Sequence, residues 1–392
     1  MNIHAPEITT ANGITRLAAR VETQTQINGL PGELWYEFPE AFGGMAAVDM
    51  EAFVVPLVPF AMRLGEDIHV AGEFSPQLFY HLVRYQQIYS FYEPRTFRPV
   101  QIIPSGLRAT PLERAPGVGV MFSGGVDSFY TLYRHLPERQ PIPEFRLTHG
   151  IFLFHFDLQG YERASYRKAS QLYQQLFREH GLTLIPANFN SREFQPGGSY
   201  SQRRRWANKA IGAVLAGAGL AFGRGLGRLL LASPHTLEFV GFTGSSMPLD
   251  QSLSTEWLEV VHDSLVEDRA DKTIALADWP ATHDTLRVCW WDPDGVQNCG
   301  RCAKCIRTMT TLEAAGKLDA YTVFPKPLRR GRILPRLSAH SGGYYLPGMI
   351  RLALRNRRWD LFILLWIARL IGRLRGALKR FVRVFAPGFE GW

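Results

Sequence analysis

From Val118 onward, short apolar runs alternate with longer amphipathic segments, and this alternation limits the possible folds more than any other feature. The apolar runs VGVMF, GIFLFHF, LTLIPANF and RLLLAS have the length of buried strands. Helical spacing of apolar residues marks the segments between them, such as YERASYRKASQLYQQLFREHG. Because strands that alternate with helices favour parallel pairing, we predict an α/β fold with a doubly wound parallel sheet.

The chain of 392 residues is long enough for two domains or for one large domain with appendages. Residues 1–112 contain short alternating runs and one helical segment, which predict a small mixed α/β domain. The segment RATPLERAPG is the predicted linker, and residues 117–316 hold the strand and helix alternation. Residues 326–392 form a basic helical tail.

Charge is distributed unevenly along the chain. Between Lys326 and Arg383 there are 15 Lys and Arg and one acid, Asp360, so the +9 of the whole chain leaves about −5 for the remainder. The remainder therefore lacks the signature of a nucleic-acid-binding protein. The first residues have no secretory pattern, and the longest apolar stretch, Leu361–Ile367, is shorter than the ~20 residues of a membrane span, which predicts a cytoplasmic protein.

The motif SGGVDS, Ser123–Ser128, lies between a predicted strand and a predicted helix. Its two glycines permit a tight turn that aims backbone N–H groups at an anion on the helix N-terminus. Asp127 and Ser128 fall at the first helical positions, and Asp127 could also hold Mg²⁺ between phosphates. No GK[ST] follows, so the loop is not of the Walker type. An ordinary turn before a capped helix is the alternative.

The four cysteines have the spacing C-x9-C-x2-C-x2-C. They are Cys289, Cys299, Cys302 and Cys305. Four thiolates this compact match tetrahedral Zn²⁺ coordination, and four protein ligands leave no open position for catalysis. We predict a structural zinc; an iron–sulfur cluster and four unrelated buried cysteines are the alternatives.

Two stretches carry a resemblance to known enzymes. VGVMFSGGVDSFYTL resembles the PP-loop ATP pyrophosphatases (adenine nucleotide alpha hydrolase-like), over residues 117–316. RVCWWDPDGVQNCGRCAKCIRTM is similar to the zinc segment of 7-cyano-7-deazaguanine synthases. The long N-terminal region and the segment GFTGSSMPLDQSLSTEWLEVVHD, which replaces the deazaguanine-binding stretch, indicate a divergent relative.

The resemblance implies a PP-loop (HUP-like) fold that converts ATP to AMP and pyrophosphate while adenylating a carboxylate, urea or amide oxygen. It implies that ATP binds the loop residues and the end of the second strand. Those binding residues are Ser123, Gly124, Gly125, Asp127, Ser128, His155 and Asp157, with Ser233 and His235 at an equivalent edge. Asp127, Ser128, Lys272 and Glu256 are the predicted catalytic residues, and His262 is a further candidate acid or base.

All four cysteines are assigned to metal, which makes sulfur transfer through a reactive thiol an unfavoured activity. We therefore expect an AMP-forming ligase in which ammonia or an amine attacks the adenylate, with ATP, Mg²⁺ and Zn²⁺ as cofactors. A non-catalytic nucleotide-binding module that recruits partners, and a modifier of protein or nucleic acid, are the alternatives. The acceptor is not named by the sequence, and a homodimer is compatible with it.

Residues 369–385, taken as a helix, have basic side chains on one side and apolar side chains on the other. Such a helix could pack on the protein's own core, lie on an anionic membrane surface, or dock on a partner. Arg203–Arg205 could extend a positive rim around the ATP crevice.

Overall fold

The computed structural model describes residues 1–154, 163–194, 206–239, 242–289, 296–339 and 344–385. The strands are β1 (Asn2–Ile3), β2 (Glu7–Ala11), β3 (Ile14–Glu22), β4 (Glu33–Pro39), β5 (Ile68–Phe74), β6 (Ile102–Leu107), β7 (Gly117–Met121), β8 (His149–Leu153), β9 (Thr183–Phe189), β10 (Leu226–Ala232) and β11 (Glu259–Asp263). The helices are α1 (Glu51–Leu64), α2 (Pro76–Tyr92), α3 (Val126–Arg134), α4 (Arg163–Glu179), α5 (Ile211–Leu220), α6 (Met247–Asp250), α7 (Arg269–Ala277), α8 (Ala303–Ala314), α9 (Ile333–Ala339), α10 (Leu346–Arg355) and α11 (Trp359–Phe385).

The strands form one 11-stranded sheet in the order β11-β10-β7-β8-β9-β4-β3-β1-β5-β6, with β2 beside β3. Strands β7 to β11 are mutually parallel. The pairs that β3 makes with β1, β2 and β4 are antiparallel, and β4 joins the two regions by pairing antiparallel with β9. The predicted α/β fold with a mostly parallel sheet is confirmed.

The order of the parallel strands creates a point of reversal. From β7 the chain proceeds outward to β8 and β9, and then returns to the other side of β7 with β10 and β11. Ligand crevices in such sheets form beyond the carboxyl ends of the strands where this reversal occurs. The turn after β7 and the turn after β10 meet at that point.

Both faces of the parallel region are covered, which explains why its strands are continuous apolar runs. In β8, Ile151 and Leu153 belong to a hydrophobic cluster that includes α1 and α5. Phe152, which points to the other face, belongs to a second cluster with α3, α4 and α8. The first cluster extends into the N-terminal strands through residues such as Leu17.

Helices α9 to α11 form a helical region with a third cluster, in which Leu361 and Leu365 of α11 pack with Ile333 and Leu337 of α9. Helix α11 begins ten residues before the predicted start at Arg369. In the described part of the chain, no helix is both long enough and apolar enough to cross a membrane.

Candidate functional site: the cavity above the SGGVDS loop and the cysteine cluster

The turn between β7 and α3 has the geometry that its glycines were expected to permit. Gly124 has φ of +76°, and a Cβ at this position would clash with the hydroxyl of Tyr173. The loop is also braced internally, because Ser128 Oγ donates to the carbonyl oxygen of Gly125 at 3.1 Å. Ser123 Oγ lies 3.2 Å from Ser128 Oγ. The loop is thus held in one shape at the N-terminus of α3.

Three arginines surround this loop. The backbone N–H of Arg287 donates to the carbonyl oxygen of Gly124, and its guanidinium donates to that of Ser123, each at 2.8 Å. Arg269, at the first position of α7, forms an ion pair with Asp127. Arg307 of α8 is buried, with its guanidinium 3.9 Å from the ring centre of Tyr345. None of these three arginines is among the residues predicted from the sequence.

A cavity of about 500 Å³ opens above the loop, within the usual range for small-molecule sites. The charged residues among those that line it are one acid and four bases: Asp127, Arg269, Arg287, Lys304 and Arg307. An anionic ligand would balance this excess of positive charge.

Several polar atoms at the cavity are buried and have no hydrogen-bond partner within the described residues. They are Asp127 Oδ1, His235 Nδ1 and the Nε atoms of Arg269 and Arg287. Buried polar groups are paired in nearly all proteins, because an unpaired group costs roughly 1–3 kcal/mol. These atoms therefore indicate a site shaped for a polar ligand.

The charge states at the cavity follow from burial. Burial, together with the neighbouring charge of Arg269, lowers the pKa of Arg307 to about 10, so Arg307 stays protonated at neutral pH. Burial and then Arg269 lower the pKa of His235 to about 4. His235 is therefore a neutral imidazole at neutral pH, and it stacks on Phe239 at 4.0 Å.

Of the predicted loop residues, Ser123, Gly125, Asp127 and Ser128 line the cavity. Lys272 does not line it. Its buried Nζ donates to the carbonyl oxygens of Ser233, at 2.7 Å, and Ser264, at 2.9 Å. The lysine thereby ties together the segments that follow β10 and β11. These contacts are structural ones, and Arg269, one helical turn earlier, is the residue of α7 that reaches the loop.

Glu256 and His262 also lie outside the cavity lining. Glu256 accepts hydrogen bonds from Ser75 Oγ at 2.6 Å and from the N–H of Gln77 at 2.9 Å, which are the contacts of a cap on α2. His262 Nδ1 is 2.7 Å from Asp250 Oδ2 in the core. His155, Asp157 and Arg203–Arg205 fall outside the described residues.

The four cysteines come together as their spacing predicts. Their sulfur atoms all lie within 4.8 Å of one another. Three of the Sγ–Sγ distances are 3.4, 3.8 and 3.8 Å. Four sulfurs at the Zn–S distance of ~2.3 Å from a tetrahedral ion would be separated by about 3.8 Å. The cluster could therefore hold a metal such as zinc.

Neighbouring groups support the cluster. The side-chain oxygen of Asn298 accepts the backbone N–H groups of Val288 at 2.8 Å and Cys289 at 3.1 Å. Cys302 precedes α8 and its sulfur accepts the N–H of Cys305. Hydrogen bonding with Cys289 and then Cys305 lowers the pKa of Cys302, which favours the thiolate that metals bind.

The cysteine cluster and the cavity are adjacent, and Cys289 itself lines the cavity. Arg287 precedes Cys289 by two residues, and Arg307 follows Cys305 by two residues. Both arginines that flank the cluster thus reach the cavity from backbone adjacent to the cysteines.

No protein-family model matches this chain, and neither a curated protein nor a solved structure matches it.

Proposed function

We propose that this protein is an ATP-dependent enzyme, similar to 7-cyano-7-deazaguanine synthase, that forms AMP and pyrophosphate. In this proposal it adenylates a carboxylate or amide, and ammonia or an amine then attacks the activated group. The observation that carries the proposal is the excess of cations around a glycine-rich loop at a helix N-terminus. Arg269, Arg287 and Arg307 surround that loop against the single carboxylate of Asp127.

The arginines are suited to α–β cleavage of a triphosphate. When the acceptor oxygen attacks the α-phosphorus, the bond to the bridging oxygen breaks and negative charge accumulates on the departing pyrophosphate. Cations that are already in place stabilise this charge without reorganising. Arg287, whose guanidinium is anchored on the loop at Ser123, and Arg307, which is stacked on Tyr345, are held in this way.

The donor atoms at the loop also fit Mg²⁺. Asp127 Oδ1 is a buried carboxylate oxygen without a hydrogen-bond partner in the described chain, and Mg²⁺ prefers such ligands. Asp127 would hold the ion against the phosphates, and the ion would supply charge neutralisation there. Arg269 pairs with the same carboxylate and keeps it oriented toward the loop.

The cysteine cluster takes a structural role in this proposal. A zinc ion with four protein sulfurs has no position for substrate, so it would stabilise the backbone that carries Arg287 and Arg307. The chain has four cysteines, and all belong to the cluster, which disfavours transfer of sulfur. The neutral His235 has a ring nitrogen, Nδ1, without a partner among the described residues, and this nitrogen could accept a hydrogen bond from an incoming ammonia or amine.

The direct test is an assay of AMP and pyrophosphate with ATP, Mg²⁺, a panel of carboxylic acids and amides, and ammonia or primary amines. We expect stoichiometric AMP and pyrophosphate with at least one acceptor. ADP and phosphate as products would refute the proposal. Saturable ATP binding without AMP from any acceptor would favour the non-catalytic nucleotide-binding module instead.

A substitution at the loop localises the activity. Asp127→Asn keeps the side-chain shape and removes its charge, and we expect turnover to fall by at least ~100-fold. The matched control is Asp319→Asn, which makes the same change at an exposed site outside the cavity lining and leaves turnover unchanged. Equal activity of the two variants would contradict the assignment of the loop.

A further inference from the structure

Helix α11 leaves a continuous row of large apolar side chains exposed, although its opposite face is packed. The buried face consists of Leu361, Leu365 and Ala368. The exposed residues, which we call the apolar stripe, are Trp359, Ile363, Trp366, Ile367, Leu370, Leu374 and Leu378, each between 36% and 63% exposed. A protein that folds alone seldom leaves so much apolar surface in one place.

The stripe follows one side of the helix. At 100° per residue, its seven members fall within an arc of about 120° around the helix axis. The helix has 27 residues, which corresponds to a length of about 40 Å. An exposed apolar helix side of this length matches a flat apolar layer.

The charges beside the stripe indicate what kind of surface this side of the helix would bind. Arg369 and Arg373 lie along one edge and Arg375 along the other, and the last two are exposed. The one acid of the segment, Asp360, is paired with Arg358 and Arg330. A surface that combines an apolar layer with negative charge is complementary to this arrangement.

A second copy of the chain is a poor occupant. The sequence of α11 holds six bases and one acid, so two copies joined along this helix would bring like charges together. A lipid bilayer with anionic headgroups supplies both the apolar layer and the opposite charge. Tryptophan and leucine on one face with arginine beside them are the composition of helices that lie in the membrane interface.

We propose that the apolar stripe of α11 docks the protein on an anionic membrane surface, with the helix parallel to the bilayer. This interaction is independent of the proposed enzymatic function. Leu370, Leu374 and Leu378 insert among the acyl chains near the headgroups, while Arg369, Arg373 and Arg375 contact the phosphates.

The test is flotation of the full chain with vesicles of phosphatidylcholine containing about 30% phosphatidylglycerol, and with vesicles of phosphatidylcholine alone. We expect binding to the mixed vesicles, weak binding to the neutral ones, and loss of binding when the salt is raised to about 1 M, where the Debye length is about 3 Å. Equal binding to both vesicles at low and high salt would overturn the electrostatic part of the proposal.

Two matched variants assign the binding to the stripe. Leu370→Glu, Leu374→Glu and Leu378→Glu, combined, place three acids on the stripe at exposed positions. Tyr80→Glu, Val83→Glu and Phe91→Glu make the same charge change at exposed apolar positions of α2. We expect the first variant to lose at least about tenfold in partitioning and the second to keep most of it. Thermal unfolding of both checks that the fold is retained.

Other occupants give distinct results. Retained flotation of the stripe variant would overturn the proposal. Absence of flotation with dimerisation that the stripe variant abolishes would assign the stripe to a second copy. Absence of both flotation and dimerisation would assign the stripe to a protein partner, and this result also overturns the proposal.

Discussion

Two sets of charged side chains lie at the same edge of the sheet, and they differ in how fully their hydrogen bonds are satisfied. In the first set, Asp263 accepts from Thr131 Oγ1 at 2.8 Å, from Ser264 Oγ at 2.5 Å and from His135 at 3.2 Å. Lys272 is likewise bonded to two carbonyl oxygens. The second set, around the SGGVDS loop, retains buried donors and acceptors without partners among the described residues.

This difference predicts which substitutions will lower the stability of the fold and which will lower the affinity for a ligand. Removing a member of the satisfied set leaves its former partners unpaired, so the cost falls on stability. Removing a member of the unsatisfied set takes away a group whose hydrogen bonds the described residues use only in part, so we expect the cost to fall mainly on ligand affinity. The cysteine cluster bears on both quantities, because a metal held by its four sulfurs would stabilise the segments that carry Arg287 and Arg307.

The largest effect is expected from loss of the cluster. Cys302→Ser leaves three sulfurs, and we expect the purified protein to lose its metal, about one zinc per chain, and at least about 3 kcal/mol of stability. ATP affinity should fall as well, because both flanking arginines lose their support. Elemental analysis and thermal unfolding measure the first two effects. The control variant Arg301→Ala changes an exposed residue between the cysteines and should keep the metal. Loss of the metal from this variant too would show that the effect is not specific to the sulfur ligands.

The next effect concerns the satisfied set. Asp263→Ala leaves the Thr131 and Ser264 hydroxyls and the His135 ring without their acceptor, and we expect it to lower the free energy of unfolding by about 3 kcal/mol. ATP affinity should change little. Denaturant unfolding and calorimetric titration with ATP measure the two quantities. A loss of affinity without a loss of stability would reverse the comparison.

For the set with unpaired buried atoms, we expect a substitution to lower ligand affinity and to leave stability unchanged. Arg307→Gln removes a buried cation that has no carboxylate within ion-pair distance in the described chain. We expect ATP to bind about 30-fold more weakly, which corresponds to about 2 kcal/mol, with stability unchanged or raised. Lys272→Met is the contrasting variant, because it should lower stability and leave ATP affinity nearly intact. Loss of stability in the Arg307 variant would contradict the distinction.

The smallest effect is a dependence of stability on acid. Hydrogen bonds from His135 and Ser264 outweigh the effect of burial and hold the pKa of Asp263 well below its ordinary value of 3.8. The unfolded chain therefore binds this proton at a higher pH than the folded chain does, and stability is lost as the pH falls below about 4. In denaturant titrations, the loss of unfolding free energy between pH 5 and pH 2 should be smaller in Asp263→Asn by on the order of 1–2 kcal/mol. An unchanged slope would assign acid sensitivity to other carboxylates.

Local patterns in the sequence predict much of this structure. The apolar runs of β7 to β10, the SGGVDS turn and the cysteine cluster each depend on residues close together in the chain. Gly124 illustrates this, since its positive φ follows from the turn itself. The alternation of strands and helices was also sufficient for the mostly parallel sheet.

The other contacts of the site join elements that lie far apart in the sequence, and local patterns do not predict them. Lys272 is a predicted catalytic residue, and its Nζ donates to the carbonyl oxygen of Ser233, whereas Arg269 of the same helix pairs with Asp127 of the loop. Glu256 caps a helix about 180 residues earlier in the chain, a contact that no local spacing encodes. The sequence contains one signal for Arg287 and Arg307, because each lies two residues from a cysteine of the cluster.

The antiparallel pair of β4 and β9 also limits how this chain can be cut. The backbone of Tyr36 and Glu37 pairs with that of Phe189 and Asn188. A fragment beginning at Gly117 would leave the outer backbone groups of β9 open to solvent and would uncover apolar residues of the shared cluster. An open strand edge of this kind recruits other chains. Such a fragment should therefore aggregate on expression, whereas the two fragments produced together should recover a soluble pair.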